Sequence, residues 1–321
     1  MTAIRKPGRV NANTVLIDFG MLGVEGLGAL YLIKSGETLL VDCGTRSEGP
    51  IIVKTLKELN CFPPDHVVFT HAHFDHCQGI HYVRKEAEKK RKEINVMASD
   101  KSISLLEDQT WQRVFDPKGH YEEIRNVNPI KEGDVIELKG LTLKVFDAPG
   151  HSKDHIALYD EKNKNLFVGD LLGLKLGDKA YVPPFMPPFW DTVAFYSSVK
   201  KLRKLDYKSV SLAHFGFIYD EEAENLFDEA ISVFETSWKI FESAEELGKL
   251  DDFNYIVKTL KKELNSEFPE FKLLKTRLKI LLGMMNLGRR LTGKKNYTVA
   301  DVLTRNYAIK WLVKGYRSYK T

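Results

Sequence analysis

Cysteine is scarce in this chain. Cys43, Cys61 and Cys77 are the only three, an odd number with no CxxC pair among them. That excludes a disulfide-stapled scaffold and fits a reducing, cytoplasmic setting. Long apolar runs are missing too, since none approaches the roughly 20 residues that a membrane span requires. Met1 to Val10 is basic and lacks an apolar centre, so no secretory leader is expected. Glutamine is confined to Gln78, Gln109 and Gln112 while Lys and Glu abound, a bias towards a thermophilic source. Acids are nearly absent from one end. Residues 258–320 hold 16 Lys and Arg against 4 Asp and Glu, a net +12. The whole chain is only +4, so the remainder is −8, and a basic module sits on an acidic body.

The 321 residues are 43% hydrophobic, enough for one large domain and a smaller one. The densest chemistry lies in Thr70-His71-Ala72-His73-Phe74-Asp75-His76, which holds three of the nine histidines. A chance His-rich surface loop is a poor account of that density. Val67 to Phe69 reads as a buried strand and Tyr82 to Lys92 as a helix, so the cluster leaves the C-terminal end of a strand. Sites in α/β folds tend to form there. His71 and His73 can aim at one side, and Asp75 and His76 at a second point. Imidazole and carboxylate suit zinc and iron-like divalent ions. Cys77 follows directly and reads as packing, because nitrogen and oxygen ligands already suffice.

Further strands are expected at Thr14–Phe19, Ala29–Lys34, Thr38–Val41, Asn95–Ala98, Val135–Leu138, Leu141–Phe146, His155–Tyr159 and Asn165–Val168, with Ser209–Leu212 as the last. Gly20 to Gly28 lacks a following Gly-Lys-Ser/Thr, so it reads as a hairpin connection rather than a phosphate cradle. Asp42 closes a buried strand and needs a partner, which an ordinary turn with Gly44 could supply. Pro50 to Leu59 has the periodicity of a crossover helix. Pro149-Gly150 turns the chain and presents His151 on a loop. Asp170 and His214 each leave the end of an apolar strand, whereas His155 reads as a hydrogen-bonding residue at a strand start. Four prolines fix Tyr181 to Trp190 as an irregular loop that either walls the site or packs under later helices. Asp191 caps a helix from Thr192 to Leu205.

From Asp220 the pattern is helical, over Glu222–Glu246, Asp251–Leu264, Phe268–Leu291 and Val299–Tyr316. Leu281 to Leu287 is apolar all round and is expected to be buried, against the body or a second copy of the chain. Thr298 and Asp301 resemble a capping box.

Together these residues resemble the metallo-β-lactamase superfamily, in its glyoxalase II-like branch. His71, His73, Asp75 and His76 match its HxHxDH signature. His151 matches the first His of its PGHTxGH-like element, although Asp154 stands where glyoxalase II has Gly. Asp170 and His214 match the remaining positions, so the pattern is filled in order over residues 14–216. The resemblance implies an α/β fold, the four-layer αβ/βα metallo-β-lactamase sandwich with a helical C-terminal extension. Residues 1–219 are then the catalytic domain and 220–321 a helical, basic one. It implies two divalent metal ions, zinc first, with iron and manganese also suited to such ligands. His71, His73 and His151 would hold one ion, Asp75, His76 and His214 the other, and Asp170 would bridge. Asp42 would orient a ligand from behind, and Asp75 would double as the catalytic residue handling the hydroxide's proton.

The implied function is hydrolysis of a thioester, lactone or related ester by a hydroxide bridging two metals, its pKa lowered from about 16 towards about 7. The rival is nucleic-acid processing or binding, motivated by the basic tail. Only 62 residues separate His151 from His214, too few for the inserted domain of the nuclease branches. A ligand-binding protein without turnover is disfavoured by the complete ligand set. For the tail itself, densest at Arg289, Arg290, Lys294 and Lys295 near Gly293, docking on acids such as Asp220-Glu221-Glu222 ranks first. Steering of an acidic substrate ranks second and nucleic acid last, because Tyr307, Trp311 and Tyr316 fall at helical spacing and read as core.

Overall fold

The computed structural model describes residues 3–267, 271–292 and 295–320. The alternating and apolar runs pair into two seven-stranded sheets. The first orders Gly8–Arg9, Thr14–Asp18, Ala29–Lys34, Thr38–Val41, His66–Val68, Asn95–Ser99 and Asn128–Ile130. Pairing is antiparallel as far as Thr38–Val41 and parallel beyond it. Parallel neighbours require crossovers. Helix α1 (Gly49–Glu58) supplies one, α2 (Phe74–Cys77) with α3 (Ile80–Glu88) the next, and α4 (Ile103–Glu107) the third. Each long crossover helix buries one stripe, Ile52, Val53 and Leu56 on α1 and Ile80, Val83 and Ala87 on α3.

The second sheet orders Ala3–Ile4, Gly216–Tyr219, Ser209–Leu212, Asn165–Gly169, Ile156–Asp160, Leu141–Asp147 and Val135–Leu138. Its one parallel pair, Asn165–Gly169 with Ser209–Leu212, is spanned by α5 (Thr192–Leu202), whose N-cap Asp191 accepts from the Ala194 amide. Tyr31 ties the sheets together. Its ring meets Phe167 edge-on at 5.5 Å, and its hydroxyl donates to the carbonyls of Leu212 and Gly216. This is the expected α/β sandwich. Ser209–Leu212 is not the last strand, because Gly216–Tyr219 follows it and pairs antiparallel. That strand, Asn128–Ile130 and the hairpin Leu174–Gly177 with Ala180–Val182 are too short to show a period.

The C-terminal helices are α6 (Glu221–Glu246), α7 (Phe253–Glu263), α8 (Thr276–Leu291), α9 (Val299–Leu303) and α10 (Ile309–Lys320). A π-helical segment, Thr304–Ala308, joins the last two. Thr298 and Asp301 form the capping box of α9. Phe185, from the proline-rich loop, sits edge-on to Phe234, Trp238 and Phe241 of α6, so that loop packs under the helices. Two expectations fail here. The helix foreseen from Phe268 begins at Thr276, because Lys272–Leu274 runs beside the Gly23–Glu25 turn instead, with the Leu274 amide donating to the Gly23 carbonyl at 2.7 Å. Leu281, Met284 and Leu287 are not buried but 54, 67 and 60% exposed. Only the Leu278 and Leu282 side of α8 turns towards the chain, and apolar character alone does not say which stripe finds a partner. Phe268, Gly293 and Lys294 lie outside the described residues.

Some of the tail's cations reach the acidic body, but Arg289, from its densest part, donates to the Lys295 carbonyl and stacks on the Tyr297 ring instead. Lys272 pairs with Glu25, Lys275 with the buried Glu48 at 2.8 Å, Arg317 with Asp251 and Lys320 with Glu245. The acidic run at 220–222 has closer cations elsewhere, since Arg5 and Lys175 approach Glu222.

Candidate metal centre

Four strand ends deliver seven side chains to one point. His71, His73, Asp75 and His76 follow His66–Val68, His151 follows Leu141–Asp147, Asp170 follows Asn165–Gly169, and His214 follows Ser209–Leu212. Parallel strands put these ends on one edge of the sandwich, where the loops are free to converge. Three groups of donor atoms could each hold a cation: His71, His73 and His151; His71, His76 and Asp170; Asp75, His76 and His214. Within each group the donors lie no more than 4.8 Å apart.

Asp170 stands between the groups. Its Oδ2 is 3.4 Å from His76 Nε2 and 3.6 Å from His151 Nε2, while Oδ1 is 3.5 Å from His214 Nε2. Asp75 Oδ2 is 3.5 Å from His214 Nε2. His73 Nδ1 faces His151 Nε2 at 3.0 Å.

The far ring nitrogens are fixed from behind. His76 Nδ1 donates to Asp42 Oδ2 at 2.8 Å. His151 Nδ1 donates to the Pro184 carbonyl at 2.7 Å, and His214 Nδ1 to the Leu27 carbonyl at 2.8 Å. Such partners set the tautomer and turn Nε2 inward. Asp42 is in turn held by the Thr70 amide and hydroxyl. Its φ of 60° is left-handed, which Asp tolerates and most side chains do not. His155 approaches the cluster but accepts from the Asp170 amide at 3.1 Å, which fits the hydrogen-bonding reading of that residue. Asp154 accepts from the Ala72 amide and the Ser102 hydroxyl, bracing the His-rich loop.

His71 Nε2, His76 Nε2 and Asp170 Oδ1 are buried with no hydrogen-bond partner within the described residues. Orphaned buried donors and acceptors cost free energy unless something occupies the space between them, and a divalent cation fits this donor set. Burial pushes His71 and His73 well below the ordinary imidazole pKa, and neighbouring imidazoles add to it. Burial thus favours their neutral form, the one that ligates. Burial raises the Asp170 carboxyl, but His214, His76 and His151 outweigh it and hold that group well below the usual carboxylate range.

His73, Asp75, His151, Asp170 and His214 face one cavity. Its other walls are almost wholly apolar, with Leu27, Phe74, Phe115, Met186, Tyr307 and Trp311 among them. Trp311 is fixed there, its indole N–H donating to the Phe115 carbonyl at 3.1 Å. Tyr307 and Trp311 are thus cavity lining rather than core, whereas Tyr316 is fully buried. Met186 and Val182 show that the proline-rich loop both walls the cavity and packs under the helices. Thr70, the two orienting carbonyls and the cavity aromatics carry no sequence signal of their own role. Only the adjacency of Thr70 to His71 could have pointed to it.

Asp42→Asn keeps the backbone conformation and the size of the side chain while removing the charge behind His76. The expected result is a roughly 10–100-fold loss of divalent-metal affinity with an unchanged melting temperature. Competition against a chelator reads this directly, and undiminished affinity would show that Asp42 does not support the cluster.

Residues 23–214 match the family model of the metallo-beta-lactamase superfamily. Among curated proteins, the chain is similar to human acyl-coenzyme A thioesterase MBLAC2, at 31% identity over 51% of this chain and 56% of that protein. It is similar to a hydroxyacylglutathione hydrolase of Methylobacterium nodulans, at 28% identity over 39% of this chain and 40% of that protein. The chain therefore spans about half the length of these two relatives. Among solved structures, BJP-1, a subclass B3 metallo-beta-lactamase of Bradyrhizobium japonicum, superposes with a TM-score of 0.57 at 19% identity, covering 76% of this chain and 97% of that one. At that identity the likeness is one of fold.

Proposed function

The chain belongs to the metallo-beta-lactamase superfamily, and from that premise we propose that it is a metal-dependent hydrolase of thioesters with an apolar acyl group. The observation that carries this reading is the cavity: five of the seven clustered side chains open into a space walled by aliphatic and aromatic groups. Two relatives with thioesterase or acyl-glutathione hydrolase names support it. The apolar walls count against a nucleic-acid substrate, which needs cations and exposed stacking surfaces at the site. A cytoplasmic setting accords with Cys43, Cys61 and Cys77, all free and buried.

His71, His73 and His151 would hold one divalent ion and Asp75, His76 and His214 a second, with Asp170 shared. Zinc is the first choice, and iron or manganese suits the same donors. Bound there, such ions lower the pKa of water and polarise a carbonyl. The chain's own residues do the rest. Leu27, Phe115 and Trp311 seat the acyl chain and exclude water. Asp75, which faces the cavity with its Oδ2 3.5 Å from His214 Nε2, accepts the proton of the attacking water at its carboxylate. The C–S bond breaks as the C–O bond forms, and the proton leaves with the thiol. Residues 1–219 carry this chemistry, while Leu303, Tyr307 and Trp311 of the domain spanning 220–321 roof the cavity.

The test is a series of acyl thioesters of increasing chain length, run beside lactones and phosphodiesters. Each buried methylene contributes about 0.8 kcal/mol, or about fourfold in kcat/KM. That gradient is expected to appear in the wild type and to flatten in Trp311→Ala. A response independent of acyl length, or a preference for phosphodiesters, would sink this reading.

A further inference from the structure

Helix α8 carries an apolar stripe that nothing among the described residues covers. Ile280, Met284, Leu287 and Leu291 recur at helical spacing and are 58, 67, 60 and 81% exposed. At 100° per residue these four fall within about 60° of one another. Cations flank them, Arg277 about 50° to one side and Lys279 and Arg290 about 90–110° to the other. No Asp or Glu occurs from residue 271 to 300. Arg277 and Lys279 have no ion-pair partner among the described residues, unlike Lys272 and Lys275 beside them.

The other side of α8 adds a second observation. Leu278, Leu282 and Met285 line a further, mostly apolar cavity. It shares Leu22, Leu303 and Tyr307 with the cavity over the His and Asp cluster. The inner side of the same helix therefore lines a cavity that adjoins the one over the candidate metal centre.

We propose that α8 seats this protein on an anionic lipid bilayer. The helix lies in the headgroup plane, its aliphatic stripe buried at the acyl boundary and its flanking cations on lipid phosphates. No described helix is long and apolar enough to cross a membrane, so the contact lies on the surface rather than through it. A second copy of the chain fits this face less well. A two-fold contact brings two such stripes together, and each is flanked by unpaired cations with no carboxylate between them. Nucleic acid fits less well again, since the centre of the patch is aliphatic and offers bases no stacking surface. The proposal stands apart from the thioesterase reading, because vesicle binding is read without turnover.

The experiment is co-sedimentation of the full chain with phosphatidylcholine vesicles, with and without phosphatidylglycerol. Binding to the anionic vesicles is expected to be at least about tenfold tighter, from the cations near the surface, and to weaken with salt. The double variant Met284→Glu with Leu287→Glu is expected to lose this binding while keeping its melting temperature and its turnover of a short, water-soluble ester. Absent binding, equal binding to neutral vesicles, or full binding by the double variant would overturn the proposal. So would a dimer in solution that the same variant dissolves, which gives the stripe to a second copy. Salt-sensitive duplex binding lost in Arg277→Glu with Lys279→Glu would give it to nucleic acid.

Discussion

Replacing Asp170 by alanine is expected to lower turnover about a thousandfold and to deplete bound divalent metal in the same preparation. The reason is geometric. Asp170 is the one clustered carboxylate that approaches three imidazoles, with His76 and His151 near one oxygen and His214 near the other. Removing it leaves those rings facing each other across a void, with no negative charge to offset a cation. Lewis-acid stabilisation contributes several kcal/mol, and about 4 kcal/mol is about a thousandfold in rate. Elemental analysis and turnover on one sample check both halves. Asp170→Asn keeps the shape, so a similar loss there assigns the effect to charge. Undiminished metal and full turnover in Asp170→Ala would remove the shared-ligand assignment.

The second large effect comes from a glycine outside the cluster. Gly79→Ala is expected to destabilise the fold by about 3 kcal/mol, the upper end of the overpacking range, and to weaken metal binding with it. Gly79 has ordinary helical dihedrals, so backbone freedom is not the issue. A Cβ there would stand 1.9 Å from the Cys43 carbonyl oxygen and 3.1 Å from that of Thr45. Both are backbone atoms and no rotamer can relieve them. The strand end that would have to retreat carries Asp42, and the Cys43 amide already donates to the His76 carbonyl at 2.7 Å. Retreat therefore pulls the carboxylate away from His76. Gly283→Ala in α8 is the control, because a Cβ there meets nothing within 4 Å. Thermal melting of both variants decides the matter, and equal stability of Gly79→Ala and wild type would show that the junction yields easily.

The strands were legible because they are apolar over consecutive residues and end in chemically distinctive ones, but the sandwich itself was implied by the family resemblance that those ends carry, since a strand-helix alternation suits other α/β folds as well. His71, Asp170 and His214 each follow such a run, so a one-dimensional pattern already marked the edge where they meet. What stayed hidden falls into two kinds. The Leu27 and Pro184 carbonyls orient His214 and His151, but every residue has a carbonyl and none advertises its direction. Apolar residues on the late helices were ambiguous because periodicity gives a face, not its neighbour. Tyr307 and Trp311 read as core and line the cavity, and Leu281, Met284 and Leu287 read as buried and are exposed. The start of α8 was misjudged because Lys272–Leu274 satisfies its backbone against the Gly23–Glu25 turn, a pairing across some 250 residues that no local propensity encodes.

The π-helical segment Thr304–Ala308 has a consequence for how this protein tolerates changes in length. Segments of this kind hold one residue more per turn than an α-helix. Deleting a residue there would let an unbroken α-helix form, with better local hydrogen bonds and with both flanks kept nearly in phase, because the wide turn already absorbs one extra residue. Deleting Lys310, where the helix is regular, would instead turn everything beyond by about 100°. Trp311 would swing off the cavity, and Tyr316 would leave the Trp238 ring it now meets at 4.9 Å. The irregular turn thus acts as a length buffer between a helix end that roofs the cavity and one that anchors on α6. A residue lost inside it leaves the same side chains in the roof, whereas a residue lost after it changes which residues form the roof at all.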